Sequence, residues 1–185
     1  MGRFVLGITG ASGGFYAVRT AMHLKRLGHS VTLIVTSPGK EVLEYEGVNS
    51  VFDYADEICK VDDFFAPCAS GSSDYAGMAV VPCSMGTLGR IAAGTSDNLL
   101  VRSADVCLKE RRPLVIVPRE MPYSLIHIEN MATVTRAGAI VIPASPQFYS
   151  KPESIEELVD TVVAKVLKHL GIPHQQLEDI AKPWK

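Results

Sequence analysis

A three-layer α/β fold with a mostly parallel sheet in a single domain is what this sequence predicts, on three observations. Short β-branched runs alternate with longer amphipathic stretches, the mark of βαβ units whose helices cover both faces of a sheet. A glycine-rich turn stands directly between the first such run and the first amphipathic stretch. A length of 185 residues with a 47% hydrophobic share suffices for one substantial core, and no internal repeat divides it.

The first strand is read at Arg3 to Ile8, and the turn GASGG leads into a helix over about Phe15 to Leu27. Val18, Met22 and Leu27 recur there near helical period, and Gly28 suits the helix end. Strand two is Val31 to Val35. In TSPGKEVLEYEG, Pro38 is placed to open a helix that Gly47 closes, so Glu41, Glu44 and Glu46 share one short element. Regularity drops between Asn49 and Asp74, with a strand near Glu57 to Lys60 and then the loop PCASGSS. Met78 to Val81 is a short buried strand stopped by Pro82, followed by CSMGT and a helix through Ala93. A helix over 99–110, a strand at Leu114 to Val117, a helix from Ser124 to Ala137 closed by Gly138, and a last strand at Ala139 to Ile142 follow. Ser154 and Glu157 make an S-x-x-E capping box for a final helix ending near Gly171.

The formal net charge of −2, with both signs mixed along the chain, offers no basic stripe to neutralise a phosphate backbone, so no nucleic-acid partner is expected. The first residues lack the charged and apolar regions of a signal peptide, and no apolar run approaches the ~20 residues that span a bilayer. Leu6 stands where myristoylation needs Ser or Thr. A soluble cytoplasmic protein with no membrane partner is expected. Cys59, Cys68, Cys83 and Cys107 form no C-x-x-C pair and have no histidine at ligand spacing, so buried, reduced thiols and no metal site are expected.

Between strand one and its helix stand Thr9, Gly10, Ala11, Ser12, Gly13 and Gly14, short side chains that let N–H groups and hydroxyls approach an anion at a helix N-terminus. A dinucleotide site is disfavoured. Tyr16 breaks the glycine patterns such a site uses, and strand two ends in Val35, Thr36 and Ser37 with no carboxylate for an adenosine ribose. A mononucleotide with a phosphate tail fits better. A second hydroxyl-rich loop with Ser84, Met85, Gly86 and Thr87 opens another helix at the same sheet edge. Arg119 and Glu120 follow a strand and Pro118, which aims them at that edge or pairs them with each other. Lys109, Arg111 and Arg112 close a helix, where cations offset the helix dipole or meet a subunit or a phosphate. Tyr149 lies in the loop after the last strand and Lys165 on the final helix. The five histidines read as ordinary polar positions, and none is assigned to catalysis.

The segments GITGASGG, TSPGKEVLEYE, PCSMGTLGRIAAGTSDNLLVRSADVCLKERRPLVIVPRE, IHIENM and IVIPASPQFYSKPESIEELVD together resemble the flavin prenyltransferase family in order and spacing over nearly the whole chain. The resemblance implies a Rossmann-like (flavodoxin-like) domain over residues 1–185 that binds FMN through Gly10, Ala11, Ser12, Thr36, Ser84, Met85, Gly86, Thr87 and Arg119. It implies dimethylallyl phosphate as substrate, its phosphate met by Arg102, Lys109, Arg119, Glu120, Tyr149 and Lys165, some from a neighbouring subunit. Lys165 stands where family members often carry Arg, which keeps charge and loses the bidentate fork. Ser12 and Glu46 are implied as the proton route from flavin N5, and Glu120 as an aid at the phosphate. Further implications are a homo-dodecamer and a UbiD-type decarboxylase, as in ubiquinone synthesis, as recipient of prenylated FMN. Trp184 is set beside a tryptophan of the family's C-terminal tail.

Rival readings are a flavin-dependent cysteine decarboxylase, whose PxMNxxMW stretch this chain lacks, an aromatic acid decarboxylase in its own right, and a flavin carrier without chemistry.

Overall fold

The computed structural model describes residues 1–181, and within them six strands form one all-parallel sheet. These are β1 (Arg3–Ile8), β2 (Ser30–Val35), β3 (Glu57–Cys59), β4 (Tyr75–Cys83), β5 (Leu114–Pro118) and β6 (Ile140–Val141), in the order β3-β2-β1-β4-β5-β6. Because every pairing is parallel, all carboxyl ends share one edge, and the chain reverses its direction of winding between β1 and β4. That switch point is where open α/β sheets bind ligands. Trp184 lies outside the described residues.

The helices are α1 (Gly14–Arg26), α2 (Ser37–Tyr45), α3 (Met85–Ala92), α4 (Leu99–Lys109), α5 (Leu125–Ala137) and α6 (Ile155–His169). Side chains alternate across a strand, so one strand feeds two cores. Leu6, Leu33, Ala79 and Val115 pack with Ala17, Leu24, Val163 and Leu167 of α1 and α6. On the opposite face Val5, Ile34, Met78 and Ile116 pack with Leu88, Leu99, Leu100 and Ala104 of α3 and α4. Burial on both faces is why these strands read as nearly unbroken apolar runs.

Pro82 does not stop β4. The ladder to β5 shifts register between Val80 and Cys83, and this irregularity absorbs the missing donor. β6 is shorter than expected, although Ile142 and Ala144 still donate to the Ile116 and Pro118 carbonyls at 2.9 and 3.1 Å, which leaves Pro143 facing away from β5. At α6 only half of the capping box forms: Ser154 Oγ accepts from Glu157 N at 3.1 Å, while the Glu157 carboxylate takes the N–H of Glu153. His23 is no ordinary polar position. It is buried, with Nε2 3.2 Å from both Asp160 oxygens, and joins Arg19 in fastening α1 to α6. All four cysteines are free and buried, and burial pushes Cys59, Cys83 and Cys107 up to about 12, which keeps them as thiols. No helix among the described residues is long and apolar enough to cross a membrane.

Candidate active site

Thr9 directly follows β1 and ties two loops together: its buried hydroxyl donates to Pro82 O at 2.9 Å and accepts from Ser84 N at 2.7 Å. Gly10 then presses against α2 so closely that an added Cβ would lie 2.6 Å from Pro38 Cβ. Three helices start here, each capped by its own side chain: Thr36 accepts from Gly39 N, Ser84 from Thr87 N, and Asn98 from Val101 N. They frame a cleft of about 350 Å³ lined by Gly10, Thr36, Ser37, Ser84, Thr87 and Asn98, with Val61 and Arg90. Converging helix N-termini and hydroxyls are the donor set that a phosphate tail requires, so the residues present fit FMN. The Met85 side chain is buried in the core and does not line the cleft.

Gly13 N and Gly14 N donate to the Glu46 carboxylate at 2.9 and 2.8 Å, so an internal anion from the end of α2 already satisfies this helix start. A Cβ on Gly14 would meet Leu43 at 2.6 Å and Val48 at 2.8 Å, which explains the second glycine of the pair.

Ser12, Glu46 and Arg119, far apart in sequence, meet at this edge. Burial alone would raise the Glu46 pKa, but hydrogen bonds from Ser12, Gly13 and Gly14 and the charge of Arg119 outweigh it and hold the carboxyl below its ordinary value. Glu46 is therefore an ionised acceptor at neutral pH. Arg119 Nε donates to Ser12 O at 3.1 Å, which fixes the guanidinium over the loop. Glu120 is exposed and accepts from the N–H of Met121 at 3.0 Å, so it does not pair with Arg119.

The remaining predicted residues are not all gathered by one chain. Arg102 donates to Ala69 O and pairs with Asp105 at 2.7 Å, one turn into α4. Lys109, paired with Glu110, ends the same helix; eleven residues at 1.5 Å each carry it about 16 Å from the cleft edge. Lys165 is exposed and eleven residues into α6, similarly about 15 Å from that helix start. Tyr149 is half-exposed, in the loop that follows β6 and passes beside Arg119. Around this edge stand exposed Met121, Leu125, Ile126, Phe148 and Ile155, and α5 buries Val134 alone. Such an apolar surface marks an association face. Sequence reasoning missed Asn98 and Arg90; Asn98 was findable, as an N-cap residue directly before the apolar run LLV.

Residues 2–167 match the family model described as Flavoprotein. The flavin prenyltransferase UbiX of Halalkalibacterium halodurans is 44% identical over 187 residues, covering 94% of this chain and 91% of the relative. A crystal structure of AnUbiX (PadA1) in complex with FMN and dimethylallyl pyrophosphate is similar with a TM-score of 0.92 and 39% identity, over 99% of this chain and 97% of that one. A dodecameric FMN-dependent UbiX-like decarboxylase from Escherichia coli O157:H7 gives the same TM-score and identity over 99% of both chains. With likeness running through nearly the whole chain and fold, the chain belongs to the Flavoprotein family and, within it, to the flavin prenyltransferases.

Proposed function

We propose that this chain joins the dimethylallyl group of dimethylallyl phosphate to N5 and C6 of reduced FMN, with Ser12, Glu46 and Glu120 as its catalytic side chains. The observation that carries this reading is the meeting of Ser12, Glu46 and Arg119 beside a cleft built to hold a phosphate. Gly10, Ala11, Ser12, Thr36, Arg119 and the Ser84 to Thr87 loop hold the flavin. Reduced FMN, when bound, supplies the nucleophilic atoms that take up the allylic carbons.

Ser12 stands directly before Gly13, whose N–H donates to Glu46, so its hydroxyl is placed to accept a proton and pass its own to the carboxylate. Arg119 uses Nε on the Ser12 carbonyl and keeps further N–H groups for an anionic leaving group. Arg102, Glu120 and Tyr149 complete the phosphate end, with Lys109 and Lys165 supplied by neighbouring subunits, because their distance along α4 and α6 keeps them from the same chain's cleft. The apolar surface around α5 supports the homo-dodecamer that supplies them. The chain acts as one flavin-binding unit in the cytoplasm and hands its product to a UbiD-type decarboxylase.

Anaerobic incubation with reduced FMN and dimethylallyl phosphate should release phosphate in step with flavin consumed. Release of carbon dioxide from aromatic acids by the pure protein alone would favour a decarboxylase instead.

A further inference from the structure

Tyr149, a ligand of the substrate phosphate in the proposed reaction, is itself held. Its hydroxyl donates to the side-chain oxygen of Gln147. The Gln147 backbone N–H donates to Thr161 Oγ1 at 3.2 Å, and that hydroxyl donates to Leu158 O at 2.7 Å. Thr161 is buried on α6, and the residue before it, Asp160, is clamped by Arg19 and His23 of α1. At the other end of the loop, Ala144 N donates to Pro118 O, next to Arg119. The backbone at Gln147 is thus pinned between α6 and β5, and its side-chain oxygen takes the Tyr149 phenol proton.

A phenol carries one proton. While that proton is given to an amide oxygen, an incoming phosphate meets only phenol lone pairs, which it cannot use. The glutamine amide carries donors as well as an acceptor, and its terminal torsion is soft. Turning it over places N–H groups on the phenol oxygen, keeps the ring where it is and frees the O–H. Resting on the phosphate role of Tyr149, we propose that Gln147 is a positioning residue: it parks the Tyr149 proton and, by reversing its amide, releases it to the substrate phosphate without letting the ring move.

The test uses Gln147→Met, which removes both amide functions at similar length, together with Tyr149→Phe and the double variant, all as the intact assembly. KM for dimethylallyl phosphate is measured at saturating reduced FMN, and FMN affinity separately. Tyr149→Phe should raise KM about tenfold, the size of one hydrogen bond to a charged group. Gln147→Met should raise it about three- to fivefold with kcat within about twofold, leave FMN affinity unchanged, and add nothing in the Tyr149→Phe background, because coupled residues are non-additive. If Tyr149→Phe raises KM and Gln147→Met does not, or Gln147→Met acts equally in both backgrounds, the positioning role is overturned. If Tyr149→Phe leaves KM untouched, the phosphate role of Tyr149 is wrong and the proposal falls with it.

Discussion

Replacing Glu46 with Gln separates its structural part from its chemical one. The carboxylate accepts from Gly13 N on Oε1 and from Gly14 N on Oε2, so both oxygens are engaged. An amide has one oxygen, and its NH₂ would face a backbone N–H. One glycine donor then loses its partner, at about 1–3 kcal/mol for an unmatched donor. Loss of the negative charge at the start of α1 adds roughly 0.3–1 kcal/mol. Together these amount to about 1–4 kcal/mol, or a fall in Tm of roughly 3–15 °C for a chain of this size. The cleft donors at α2, α3 and α4 are untouched, so FMN should bind within about threefold of normal while prenyl transfer slows by roughly 10²-fold or more, as for loss of a proton relay. Thermal unfolding, FMN titration and single-turnover flavin analysis read the three effects. Normal turnover with a lowered Tm would leave Glu46 a structural cap and remove it from the chemistry; an unchanged Tm would refute the hydrogen-bond account itself.

Gly10→Ala forces a Cβ to 2.6 Å from Pro38, so the loop must shift; a loss of about 1–3 kcal/mol is expected, with FMN affinity down at least about tenfold on titration. Native affinity would mean that the loop does not touch the flavin. Lys109→Ala should weaken dimethylallyl phosphate binding more than FMN binding. If it acts in a neighbour's site, co-assembled Lys109→Ala and Arg119→Ala subunits should recover roughly a quarter of wild-type activity, since mixing restores intact sites across an interface; no recovery would place Lys109 in its own chain's site. Asp160, like Glu46, has its pKa held low: burial opposes this, and Arg19 and His23 outweigh it. A depressed carboxylate contributes stability that is complete above its unfolded value and lost as pH falls through its folded one. The urea midpoint should therefore hold from neutrality to about pH 4–5 and drop below that, less steeply in Asp160→Asn. A decline already beginning near neutrality contradicts this.

Much of the scaffold could be read from local pattern. β1 is where its β-branched run lies, α1 and α2 begin and end within a residue or two of their glycine and proline signals, and α4 lies within a residue of its expected bounds. Pro82 misled because a proline's effect on a ladder depends on the partner strand's register, which no window of one strand contains. The role of His23 was hidden for a similar reason: its partner Asp160 lies 137 residues away and becomes a neighbour only when α6 docks on α1. At the site, the glycine turn announced an anion at a helix start, yet the anion found there is Glu46, a tertiary contact across 32 residues. The separation of Lys109 and Lys165 from the cleft follows from helix length and direction, and was legible only as an implied contribution from another subunit.

In the proposed reaction a cleft framed by three helix starts holds reduced FMN while Ser12, Glu46 and a set of cations carry a dimethylallyl group onto it. Mass analysis of the flavin recovered after anaerobic incubation of the assembled protein with reduced FMN and dimethylallyl phosphate tests this directly. The account predicts a flavin heavier by one dimethylallyl-derived unit, formed by the wild type and lost with Arg119→Ala. Recovery of unmodified FMN from a protein that has bound both compounds would contradict it.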